Sequence, residues 1–241
     1  MLVLIRSLIF YTGLLPLTIF FSIISLSVLV LPATPRYKII ICWSQLTLSW
    51  LKITCGLKWV VSGAENITPQ PSIILCKHQS AWETIAMQMI FPKQTQVLKK
   101  ELLWIPFFGW GLACLSPIAI NRKLGSESIK KILEIGQKKL KTGWWVLLFP
   151  EGTRTLVGKT GKFTQTGAAL ALAADCPIIP VAHNAGVFWK KNSLKKYPGT
   201  IDVVIGAPIL TTGRNRKTVM KEVEHWIAKT CDKLPSERNT N

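Results

Sequence analysis

The stretch Ser72-Ile73-Ile74-Leu75-Cys76-Lys77-His78-Gln79-Ser80-Ala81-Trp82-Glu83 decides the fold. Ser72–Cys76 is short, almost wholly apolar and without alternation, the pattern of a strand buried on both faces. Polarity then rises abruptly, and Ser80-x-x-Glu83 has the spacing of a capping box, which starts a helix near Ser80. Strand, polar turn and helix together form the unit of an α/β domain. His78 falls at the carboxyl end of the strand, the edge at which open α/β sheets bind their ligands.

Similar runs lie on either side. Trp59–Val61, Ile118–Ile120, Trp145–Phe149, Ile178–Ala182 and Ile201–Ile205 read as strands. Pro180 suggests that the fifth of the six strands lies at a sheet edge. Ile129, Ile132, Leu133, Gly136 and Leu140 recur at helical spacing, as do Val219, Val223, Trp226, Ile227 and Leu234. The polar tail Pro235–Asn241 is expected to fray. The fold expected is α/β, a mixed central sheet flanked by helices over residues 58–241, with an N-terminal hydrophobic two-helix membrane motif over residues 1–57.

That N-terminal expectation rests on two apolar runs. Residues 8–31 carry no charge and would form a helix about 36 Å long, enough for a hydrocarbon core of about 30 Å. The run is too long for a signal peptide and lacks a good cleavage site, so it reads as a retained anchor with Pro16 as a possible kink point. Ile39–Leu51 is too short to span comfortably and is flanked by Lys38 and Lys52. Arg36 and Lys38 between the runs resist translocation, which favours a hairpin dipping into one leaflet. A third apolar segment, Leu102–Trp110, follows Lys99 and Lys100 and reads either as a membrane or acyl-chain contact or as a core loop or short helix.

Charge points the same way. Lys and Arg total 30 against 12 Asp and Glu in 241 residues, a formal charge of +18. Such a balance favours an anionic partner. No zinc-finger or RNA-recognition signature accompanies it, so a phospholipid surface is expected and nucleic acid is not. The mean hydropathy of +0.30 suits one greasy end on an otherwise folded domain. The cysteines, at 42, 55, 76, 114, 176 and 231, lack metal or redox spacing and read as reduced, mainly buried thiols of a cytosol-facing protein. No metal and no bound cofactor are expected.

Four clusters could carry chemistry. His78 with Glu83 could act as a base oriented by a carboxylate, because neutral imidazole accepts protons near physiological pH; Glu83 could instead only cap the helix. In Phe149-Pro150-Glu151-Gly152-Thr153-Arg154, Gly152 permits close backbone approach, Arg154 suits a phosphate and Glu151 can accept from hydroxyls. A plain surface turn is the competing reading. Arg122 follows a strand and alone would be merely solvated. Residues 178–183 read as packing, with no chemical role for His183.

In order, these pieces resemble the 1-acyl-sn-glycerol-3-phosphate acyltransferase family. Its first motif, a histidine, four residues and an acid, is matched by His78 and Glu83; its third by residues 149–154 without change. Lys77 and Glu83 stand where the family usually has Asn and Asp, and Ser116 and Ala119 where it usually has Gly and Phe. The resemblance implies acyl transfer from an acyl-ACP or acyl-CoA cosubstrate to the sn-2 hydroxyl of lysophosphatidic acid, giving phosphatidic acid. It implies His78 as base, Glu83 as its partner, and Arg122, Glu151, Gly152, Thr153 and Arg154 as acceptor-binding residues. It also implies a bacterial inner membrane with the catalytic domain on the cytosolic side. The rivals are acyl transfer to another lysolipid such as a lyso-ornithine lipid, hydrolysis, and non-catalytic lipid binding. No Gly-x-Ser-x-Gly elbow supports a serine hydrolase.

Overall fold

A computed structural model describes residues 1–238. Helices α1 (Leu2–Ser27) and α2 (Ala33–Cys55) lead into β1 (Leu57–Ser62) and β2 (Ile73–Cys76). There follow α3 (Trp82–Ile90), β3 (Gln94–Lys99), α4 (Phe108–Cys114), β4 (Ile118–Ile120), α5 (Gly125–Lys141) and β5 (Trp145–Leu148). The chain closes with α6 (Thr166–Ala174), β6 (Ile178–His183), α7 (Ala185–Phe188), β7 (Gly199–Ile205) and α8 (Arg216–Lys233). The strands form one sheet in the order β1-β7-β6-β2-β5-β3-β4. Every pairing is parallel except β6 with β7, so the sheet is mixed.

Helices cover both faces, and the alternation of side chains along each strand sorts the core into two clusters. From β2, Ile74 and Cys76 join Phe10, Leu48, Leu51 and Trp82 under the N-terminal helices and α3. Ile73 and Leu75 point the other way, to Ile132, Leu170, Val219 and Val223 of α5, α6 and α8. A strand packed on both sides must be apolar throughout, which explains Ser72–Cys76. On that second side Gly136 brings α5 against α6, since a Cβ there would lie 2.6 Å from Leu170 Cδ2.

Three expectations need correction. The sheet has a seventh strand, β3, whose Gln94, Thr95 and Gln96 do not read as strand residues. Their side chains donate to distant carbonyls: Gln94 Nε2 to Met87 O at 2.5 Å, Thr95 Oγ1 to Ser116 O at 2.8 Å and Gln96 Nε2 to Thr84 O at 2.8 Å, while Gln94 Oε1 is buried without a partner among the described residues. Pro180 is not at an edge, because β6 lies between β2 and β7. It is tolerated where β7 ends: Gly206 N–H still donates to Pro180 O at 2.9 Å, and the proline stands where the reciprocal donor would be. The described part of the C-terminal tail does not fray. Arg238 Nη1 donates to Val187 O at 3.0 Å and its guanidinium lies 3.8 Å from the Tyr197 ring. Residues 239–241 of that tail lie outside the described residues.

The two N-terminal helices form an antiparallel hairpin. Trp50 Nε1 donates to Phe10 O at 3.1 Å, Trp43 Nε1 to Thr18 Oγ1 at 3.1 Å and Arg6 Nε to Thr54 O at 2.7 Å. Helix α1 is long and apolar enough to cross a membrane, yet it lies along the flank of the sheet domain. Near its start Ser7 Oγ accepts from Lys196 N–H at 2.9 Å; near its end Ser22 Oγ donates to Phe107 O at 2.6 Å. Its buried residues are Ser7, Phe10, Phe21, Ser22 and Ser25, while Leu8, Leu15, Ile19, Phe20, Ile23 and Leu26 are exposed. Small polar residues inside and large apolar ones outside invert the usual order for a helix in water. Leu102–Trp110 adjoins this helix and is no core loop, since Trp104 is 72% exposed and Ile105, Phe107 and Trp110 are exposed beside it.

Candidate active site

His78 sits two residues beyond the end of a buried strand: β2 stops at Cys76, and Lys77 N–H still donates to Val181 O at 3.0 Å. The chain then turns into α3, and Glu83, in the first turn of that helix, is fully buried. Glu83 Oε1 lies 2.9 Å from His78 Nδ1 and accepts from Gln79 N–H at 2.8 Å and Ser80 N–H at 2.7 Å. Ser80 Oγ in turn accepts from Trp82 N–H at 3.2 Å. The cap and the imidazole partner are therefore one carboxylate oxygen, and the two readings of Glu83 hold together.

Burial alone would raise the Glu83 pKa. The neighbouring His183 and His78 rings and the Ser80 amide outweigh it and hold the carboxyl below its ordinary range. An ionised carboxylate only accepts, so His78 Nδ1 carries the hydrogen and Nε2 keeps its lone pair for an incoming proton. The ring stacks on Phe149 at 4.1 Å between centroids and 18° between planes.

The Phe149–Arg154 stretch is largely a mount for His78. Glu151 Oε2 accepts from His78 N–H at 3.0 Å, and His78 O accepts from Thr155 N–H at 2.8 Å. Glu151 Oε1 takes the Lys77 ammonium and Gly161 N–H, the latter at 2.9 Å. Lys77 Nζ also donates to Thr155 Oγ1 at 3.0 Å and Lys159 O at 2.9 Å. Lysine at 77 thus supplies a buried charge that ties the residues 151–161 to the base of His78. Both oxygens of Glu151 are committed within the protein, which departs from the expectation that they face a substrate hydroxyl. Gly152 has φ 66° with open space beyond its Cα, so the glycine serves a left-handed turn. At Ser116 the backbone is also left-handed, φ 51°, the conformation glycine favours. There the serine hydroxyl accepts from Arg36 Nη2 at 2.9 Å.

Beside the Phe149 ring runs a groove of about 450 Å³. Val97, Ile120, Ile129, Ile132, Leu148 and Ala169 make its apolar wall; Phe149, Gly152, Arg122, Gln165, Thr166 and Arg216 are among the rest of its lining. The structure thus brings Arg122 and Gly152 to the groove; His78 and Glu83 do not line it, and the imidazole reaches it through the stacked Phe149 ring. Thr153 is exposed and Arg154 half-buried, and neither lines it. One residue of the groove goes unread in the sequence, while His183 packs as read. Arg216 lies in a basic run with no local signal of a site. His183 is fully buried: its Nε2 donates to Lys77 O at 2.8 Å and stands 3.9 Å from Glu83 Oε2, so the ring packs against the site. Among the described residues no cluster of three His, Cys, Asp or Glu could hold a metal ion.

A carboxylate-held imidazole at the edge of an apolar, cationic groove defines a site for moving a group onto a lipid-like hydroxyl. A family model described as Acyltransferase matches residues 58–184. A curated 1-acyl-sn-glycerol-3-phosphate acyltransferase of Pseudomonas aeruginosa is 43% identical over 209 residues, 85% of this chain and 81% of that protein. A curated protein of the same name from Cocos nucifera is 31% identical over 166 residues, 68% of this chain and 54% of its own length. The crystal structure of the 1-acyl-sn-glycerophosphate acyltransferase PlsC from Thermotoga maritima superposes with a TM-score of 0.79 at 22% identity, covering 96% of this chain and 95% of that one, which shows a shared fold. The chain belongs to the 1-acyl-sn-glycerol-3-phosphate acyltransferase family and is an O-acyltransferase.

Proposed function

We propose that the protein transfers a fatty acyl group from acyl-ACP or acyl-CoA to the sn-2 hydroxyl of 1-acyl-sn-glycerol-3-phosphate, giving phosphatidic acid for phospholipid synthesis. The observation that carries this is the 2.9 Å contact of His78 Nδ1 with Glu83, which leaves Nε2 as a base beside a groove that is apolar along its wall and cationic at its rim. His78 Nε2 takes the hydroxyl proton as that oxygen attacks the thioester carbonyl; the C–O bond forms, the C–S bond breaks, and the imidazolium returns the proton to the departing thiolate. Glu83 stabilises the imidazolium. Arg122, with the backbone turn at Gly152, receives the glycerol phosphate, and Arg154 contributes charge nearby. Glu151 acts through the His78 backbone. The excess of basic residues suits docking of an acidic carrier protein.

The proposed substrates are lipids, and the build of α1 supports a seat on the bilayer. A helix with its large apolar side chains outward and its serines inward, fastened along the domain at both ends, lies in one leaflet with the domain beneath it. Trp104, Ile105, Phe107 and Trp110, beside Lys99 and Lys100, extend that face with residues suited to the interface. The anionic leaflet facing the cytosol of a bacterial inner membrane matches the charge of the protein.

The test is an assay of the full-length protein against lysophosphatidate, lysophosphatidylglycerol and a lyso-ornithine lipid, with acyl-ACP and acyl-CoA each as donor. Preference for lysophosphatidate is expected. Transfer only to an acceptor without phosphate defeats the assignment.

A further inference from the structure

We propose that Arg216 is a binding residue for the acceptor, holding its phosphate together with Arg122; the proposal rests on the functional reading above. The groove is where three helices begin. Gly125 and Ser128 belong to the start of α5, Thr166 opens α6 and Arg216 opens α8, and all four line it. Each helix start carries partial positive charge, although at α8 Asn215 Oδ1 already takes the Thr218 N–H at 2.9 Å. Arg122 and Arg216 add two full charges, and among the described residues no acidic side chain lines the groove. Positive potential from five sources with no carboxylate among them calls for an anion.

Arg216 is also held as a ligand-binding arginine is. Its Nε donates to Gln165 Oε1 at 2.8 Å, and among the described residues it makes no ion pair. Its near neighbour Arg214 shows the ordinary outcome for a surface arginine, pairing with Glu222 Oε2 at 2.5 Å through Nη2. Fixing Nε to a neutral amide orients the planar guanidinium and leaves its terminal amino groups for a bidentate contact. A phosphate monoester carries two negative charges, and two guanidinium groups on one groove match them. The apolar wall of Ile120, Ile129, Ile132 and Leu148 then receives the chain of the same amphiphile.

The experiment compares equilibrium binding of lysophosphatidate and of monoacylglycerol, which lacks the phosphate, to full-length protein in detergent, alongside KM for lysophosphatidate and for the acyl donor. Arg216→Ala is expected to weaken lysophosphatidate binding and raise its KM by about tenfold, the worth of one charge-assisted contact. Monoacylglycerol binding, the donor KM and kcat stay within about twofold. Arg216→Lys recovers part of the loss, and Arg214→Ala behaves as wild type. Unchanged lysophosphatidate affinity, an equal loss for monoacylglycerol, or a loss confined to the donor overturns the proposal. Because binding is read without turnover, inactivity of the wild type on lysophosphatidate would defeat the functional reading separately.

Discussion

The two ends of the site are built on opposite terms. Around His78 most polar atoms are spent inside the protein: Glu83 Oε1 takes three donors, both oxygens of Glu151 are engaged, and Lys77 Nζ has three partners, with Glu83 Oε2 left buried 3.9 Å from His183 Nε2. Arg122 and Arg216 at the groove are exposed and without a carboxylate partner among the described residues. A base must stand in one orientation before the substrate arrives, so its supports are fixed in advance. A cation that binds an anion gains most when nothing else has neutralised it. One end is held mainly by internal partners; the other holds its charge in reserve.

That contrast breaks most easily at His78. His78→Ala is expected to lower kcat by about 10⁴-fold, the upper range for a general base and about 5 kcal/mol of barrier, with KM for lysophosphatidate, melting temperature and vesicle association nearly unchanged. Steady-state kinetics and vesicle flotation on one preparation read all four. Transfer at the wild-type rate would remove the base from the mechanism.

Next in size is the buried ion pair beneath the ring. Lys77→Met strands the Glu151 carboxylate, and losing one partner of such a pair costs roughly 3–5 kcal/mol. Adding Glu151→Gln is expected to restore over half of that, since an amide oxygen still accepts from His78 N–H without a buried charge. Urea melts of the two single variants and the double variant give the coupling. Additive losses would mean that the pair does not act as a unit.

Glu83→Gln sharpens the comparison, because one oxygen caps α3 and orients His78. The cap is worth about 1 kcal/mol of stability, and losing the carboxylate charge is expected to cost about 10²-fold in kcat. Both losses should appear in the same variant, by thermal melting and by rate. Loss of one alone would separate the two roles.

What was legible in the sequence was what is local. The strand–turn–helix at 72–83 shows itself because β2 is apolar on both faces and His78 and Glu83 stand five residues apart. Strand β3 does not, because its Gln94, Thr95 and Gln96 donate to carbonyls at 87, 116 and 84, which only the folded chain brings near. The same holds within the site. Glu151 reads as a substrate ligand until Lys77, 74 residues away, is seen to hold it. Arg216 is one basic residue among many until three helix starts meet around it. Pro180 misleads for the same reason: whether a missing N–H matters depends on where the neighbouring strand stops.

The smallest effect expected concerns His183. Its Nε2–H donates to Lys77 O and its Nδ1 accepts from Ala185 N–H at 3.2 Å, an arrangement only the neutral ring can satisfy. Burial lowers its pKa, while Glu83 and the Lys77 carbonyl pull weakly the other way. The unfolded chain, with an ordinary pKa of about 6.5, therefore binds this proton first as pH falls. The stability tied to the neutral ring is whole above about pH 6.5 and declines below it, by no more than about 1.4 kcal/mol per pH unit for one proton. Glu83 acts lower: its depressed pKa keeps its contribution until pH falls through the carboxylate range, near about 4. Between pH 7 and pH 5 the two are separable. His183→Gln keeps a donor for Lys77 O and cannot titrate, so its unfolding free energy is expected to stay flat over that window while the wild type declines. Parallel decline of the two proteins would place the acid sensitivity elsewhere and leave the buried ring as packing beneath His78.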